Sequence, residues 1–69
     1  MTAPEVLAIR LQLGLSQAQL ARVVGLEGAH AARRVRAWEQ GDYGPSRRVV
    51  ARLLALAREA EGVSGGRAR

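Results

Sequence analysis

Arg33, Arg34 and Arg36 stand close together, and no acidic residue lies between Gly28 and Val35 to neutralise Arg33 or Arg34 through a helical i−3 or i−4 pairing. A guanidinium presents a planar fork of donors that meets two acceptors at once, which suits phosphate oxygens, carboxylates or the O6 and N7 edge of guanine. These three belong to a set of eleven basic residues, all arginine, set against six acidic ones for a formal charge of +5. That balance implies a polyanionic partner.

Other chemistries lack their parts. The chain has no cysteine, so neither a disulfide nor a cysteine zinc site holds it together, and its single histidine, His30, has no clustered carboxylates with which to build a metal site or a catalytic dyad. There is no nucleophile–base pair and no glycine-rich phosphate loop followed by lysine, and 69 residues are too few to enclose a substrate pocket. The expectation is a protein that is not an enzyme, with no cofactor, no metal and no small-molecule substrate. No apolar run approaches the roughly 20 residues that cross a bilayer, and the N-terminus lacks a basic stretch followed by an apolar signal segment, so the expected place is the cytoplasm, away from membranes. RNA-stacking and membrane-anchoring modes draw on aromatic side chains, and here there is one Trp, one Tyr and no Phe.

The elements that must position the arginines are helices. An apolar fraction of 48% carried by Ala, Leu and Val favours helix over sheet. Thr2 followed by Glu5 makes a capping box with Pro4 in the first turn, and Gly14 supplies the stop, so a first helix spans about Ala3 to Leu13 with Val6, Leu7, Arg10 and Leu11 at helical spacing. Ser16 and Gln19 repeat the box and open a second helix ending near Gly25. A third spans Ala29 to Gln40 before Gly41, and a fourth, capped by Ser46, reaches about Glu61. Residues 1–61 therefore form one compact all-α four-helix domain, and Gly62 to Arg69 read as a flexible basic tail. The expected core is Leu7, Leu11, Leu15, Leu20, Ala21, Val24, Val35, Trp38, Val49, Leu53 and Leu56. With Ala31, Val35 and Trp38 facing that core, at about 100° per residue Arg33 and Arg36 point away from it, flanked by Arg34.

The segments Leu15-Ser16-Gln17-Ala18-Gln19-Leu20-Ala21, Val24-Gly25-Leu26, Trp38-Glu39-Gln40-Gly41 and Pro45-Ser46, with Arg10 ahead of Gly14, resemble the Cro and phage-repressor helix-turn-helix family from Val6 to about Ala57. The resemblance implies a lambda-repressor-like fold in which helix two lies across the DNA backbone and helix three enters the major groove of double-stranded DNA. The exposed side of helix three offers Arg33 and Arg36, with Arg34 beside them, as base contacts, and the resemblance implies phosphate contacts from Gln17, at the start of helix two, and from Arg47 and Arg48, at the start of helix four. Arg10 and Glu39 fall where the family pairs an arginine of helix one with a glutamate of helix three, a structural ion pair. Arg22, Arg52 and Arg58 read as solvated. One departure stands out: between Gly25 and Trp38 the chain carries about four residues more than the family pattern, within Glu27–Ala32, which is about one helical turn. They extend helix three at its start, bringing Ala29 and His30 toward the groove, or they lengthen the turn and leave His30 in a loop.

Val50, Leu54 and Ala57 form more apolar surface than a four-helix core needs, which points to a symmetric homodimer on an inverted-repeat operator. A lone DNA-binding domain of this kind resembles the small phage-type autorepressors, including regulators that accompany anti-CRISPR genes, and it would repress by occupying a promoter. The alternative is an antitoxin or adaptor module that binds a protein through the apolar face of helix four.

Overall fold

The computed structural model describes the backbone of residues 1–67 and the side chains of residues 1–61. The first helix, α1, covers Ala3–Leu13, because the Thr2 hydroxyl accepts from the Glu5 N–H while the Glu5 carboxylate accepts from the Thr2 N–H at 2.7 Å. Gly14 ends it in a left-handed conformation. The second, α2, covers Gln17–Val23 and is opened by the same reciprocal device between Ser16 and Gln19. Each box satisfies backbone donors that a helix start leaves without partners.

The third helix, α3, covers Ala31–Gln40 and ends at Gly41, and the fourth, α4, covers Arg47–Arg67 with the Ser46 hydroxyl accepting from the Val49 N–H at 3.3 Å. Two boundaries differ from expectation. The surplus residues lengthen the turn: α3 begins at Ala31, not Ala29, and Val24 to His30 connect it to α2. Gly25 and Gly28 carry φ values of 87° and 99° within that connection, where any side chain would be strained, so the backbone folds back on itself instead of continuing a helix. At the other end α4 continues past Glu61 to Arg67, in place of a tail from Gly62. Glycine weakens a helix but keeps the backbone N–H that propagates it, and no proline follows. Ala68 and Arg69, the rest of the expected tail, lie outside the described residues.

The core consists of Val6 and Ile9 from α1, Leu20 and Ala21 from α2, Val35 and Trp38 from α3, and Val49 and Leu53 from α4. Leu15 and Val24 are half-buried against it, and Leu56 is half-buried outside that central cluster. The expectation for α1 requires correction, since Leu7 and Leu11 are 37% and 63% exposed. Every face of this helix carries an aliphatic residue, so apolar spacing alone does not choose the inward one. Arg10, at the edge of the inward face, reaches Glu39 on α3, and Val6, Ile9 and Leu13 line the core. In pairwise terms α2 packs on α3, while α1 packs on both α3 and α4.

Candidate nucleic-acid interface

Burial of Val35 and Trp38 fixes the rotation of α3, and Arg33, Arg34 and Arg36 are exposed as a result. Among the described residues Arg10–Glu39 is the sole ion pair, so none of the three has a carboxylate to neutralise it. A row of free guanidinium groups on an exposed helix face offers donors and positive potential to an anionic surface.

The orientation of this helix is held from behind. Arg10 Nε donates to Glu39 Oε2 at 2.5 Å and Arg10 Nη2 to Oε1 at 3.2 Å, a two-point contact, while Nη1 donates to the Leu15 carbonyl at 3.0 Å. The two side chains are only 16% and 8% exposed. Gln17 joins the same group by donating its amide Nε2 to Glu39 Oε1 at 3.0 Å. One carboxylate thus fastens α1, α2 and α3 together. Burial pushes the Glu39 carboxyl upward, but the hydrogen bonds from Arg10 and Gln17, with the Arg10 charge, outweigh it and hold the carboxyl below its ordinary value.

Gln17 is half-buried, and one hydrogen of its amide is engaged by Glu39, which leaves the second for another acceptor. Arg47 and Arg48 are exposed in the first turn of α4. His30 is exposed in the turn at the entrance to α3, with no side-chain hydrogen bond to the helix. Of the apolar residues singled out on α4, Leu54 is 49% exposed, Val50 is half-buried, and Ala57 packs partly against the core. An open recess of about 380 Å³ lies between α2, the lengthened turn and the start of α3, with Ala18, Arg22, Glu27 and Ala32 on its walls. Among the described residues no group of His, Asp and Glu is placed to hold a metal ion.

Two polar links escape a reading of the sequence. The Gln17–Glu39 bond has no local signal, since its partners are far apart in the chain. Arg52, expected to be solvated, donates from Nε to the Val23 carbonyl at 3.2 Å and so joins α4 to the last residue of α2.

Two short helices joined by a turn, the second carrying exposed cations and the first pinned across it, define a helix-turn-helix protein. A family model described as helix-turn-helix matches residues 6–63, nearly the whole chain. The chain belongs to this family, of the Cro and phage-repressor type, and is a DNA-binding transcription regulator. No curated protein and no solved structure matches it. Within the described residues no helix is long and apolar enough to cross a membrane.

Proposed function

We propose that the protein is a sequence-specific repressor that binds double-stranded DNA as a homodimer and acts by covering a promoter, in the manner of a phage-type regulator that controls its own small operon, an anti-CRISPR locus being one such setting. The observation that carries this reading is the exposed, unneutralised arginines of α3, with Arg33 and Arg36 on the side away from the buried Val35 and Trp38 and Arg34 flanking them. Arg33 and Arg36 read base edges, each good two-point contact to guanine being worth roughly 1–3 kcal/mol of discrimination, and Arg34 adds a contact at the side of the groove. Gln17, through its second amide hydrogen, and Arg47 and Arg48 grip phosphates and fix the orientation on the duplex. Leu54, with Val50 and Ala57 beside it, is the centre of the self-association patch, and the two copies address half-sites about 34 Å apart.

The test is a mobility shift on the DNA upstream of the protein's own gene, with random competitor and a salt series, for wild type and Arg33→Ala. Discrete complexes that resist competitor, and whose sequence preference relaxes in Arg33→Ala, are the expected result. Only salt-labile binding that ignores Arg33→Ala would sink the reading. Sedimentation of Leu54→Glu beside wild type tests the dimer: wild type sediments as a dimer on or off DNA and the variant shifts to monomer. Repression is tested by a reporter behind that upstream DNA, and a signal that rises with added protein would overturn it.

A further inference from the structure

The last four carbonyls of a helix have no partner within it. In α2 three of them are taken by backbone donors from the connection that follows: Leu20 by the Val24 N–H at 3.1 Å, Ala21 by the Leu26 N–H at 2.9 Å and Arg22 by the Gly25 N–H at 3.1 Å. The fourth, Val23, is taken by Arg52 of α4 at 3.2 Å. A cation at this point also meets the negative end of the α2 dipole. Among the described residues this is the only side-chain hydrogen bond between α4 and the α2–α3 pair. It matters because α4 otherwise packs on α1, whereas α2 packs on α3.

The bond sits where the lengthened turn leaves α2. Val24 to His30 carry two left-handed glycines and must deliver the chain to α3 at a defined place. One turn earlier on α4 lies Arg48, with Arg47 beside it. We propose that Arg52 is a positioning residue for DNA recognition: by closing the end of α2 it sets α3 relative to the start of α4, so that base-reading and phosphate-gripping groups meet one duplex in register. This rests on the reading in which Arg33 and Arg36 address bases and Arg47 and Arg48 address phosphates. A displacement of about 1 Å at such a site weakens specific contacts far more than diffuse attraction to the backbone.

The experiment uses the full chain and a duplex selected by the wild type from a random library, with random-sequence DNA as the comparison, across a salt series. Arg52→Ala is expected to lose about tenfold in affinity for the selected duplex and less than about twofold for random DNA, with an unchanged salt slope; Arg52→Lys, which keeps a donor for the Val23 carbonyl, recovers part of the loss. A parallel loss on both DNAs, with the salt slope reduced by about one, would make Arg52 a phosphate contact and overturn the positioning role. Equal ratios of specific to random affinity in Arg52→Ala and wild type would also overturn it. Arg33→Ala, measured on the same duplexes, keeps the two claims apart: its failure to change the ratio overturns base reading by α3 independently of Arg52. If Arg52→Ala does not fold, the Arg52→Lys variant decides: a ratio below that of wild type with an unchanged salt slope supports the role, and one equal to that of wild type refutes it.

Discussion

Gln17 and Arg10 share one acceptor: Glu39 Oε1 receives the Gln17 amide at 3.0 Å and an Arg10 guanidinium nitrogen at 3.2 Å. Because the group is largely shielded from water, removing one partner strands the others. Arg10→Ala should destabilise the fold by about 3 kcal/mol, at the low end for a buried pair, and Gln17→Ala by about 1–2 kcal/mol. Urea unfolding of both single variants and the double variant measures this, and a double-variant loss well below the sum of the two singles marks the shared carboxylate. Strict additivity would show that the bonds act independently.

Acid should attack the same place. The folded Glu39 carboxyl titrates below its ordinary value of 4.5, so its contribution to stability is complete above that value and is lost as pH falls through the folded one. Thermal melts of wild type should therefore be flat from neutral pH to about 5 and decline below, and in Glu39→Gln the decline should be shallower. Glu5 is also held low, by its hydrogen bonds to Thr2, so some acid sensitivity survives in the variant.

The exposed leucines of α1 separate two views of its inward face. Leu11→Gln should change stability by no more than about 0.5 kcal/mol, whereas Ile9→Ala should cost about 2–4 kcal/mol. The reverse order in denaturant titrations would mean that the helix is rotated toward the Leu7–Leu11 side.

Gly28 lies in the lengthened turn with φ 99° and nothing within 4 Å of the position a β-carbon would occupy. Gly28→Ala therefore meets torsional strain without a clash, and should cost about 1–3 kcal/mol. Equilibrium unfolding of this variant reads the strain directly; a neutral result would mean that the turn relaxes to another path.

The parts of the fold legible in the sequence are those written in local chemistry. The paired caps Thr2–Glu5 and Ser16–Gln19 and the stops at Gly14 and Gly41 define helix ends because each bond involves neighbours in the chain. The exposure of Arg33 and Arg36 follows from Val35 and Trp38, whose inward direction admits one rotation of α3. Leu7 and Leu11 mislead because aliphatic residues surround α1, so that apolar spacing admits more than one inward face. The start of α3 is open for a different reason: one extra turn of helix and a longer loop preserve the same phase for Val35 and Trp38. The structure settles it with a turn closed by the Ala31 N–H on the Gly28 carbonyl at 3.3 Å, which leaves His30 as the cap before α3. Arg52 carries no signal at all, since its acceptor is a main-chain carbonyl distant in sequence.

Eight buried side chains among the described residues, none larger than the single Trp38, make a small core. Proteases act on molecules that have opened, and a ligand that binds only the folded chain lowers their number, by about 2.7 kcal/mol of added stability at a hundredfold excess over Kd. Molecules seated on DNA accordingly open less often than unseated ones, so the resistance of this regulator to proteolysis rises with the fraction of it that is at work.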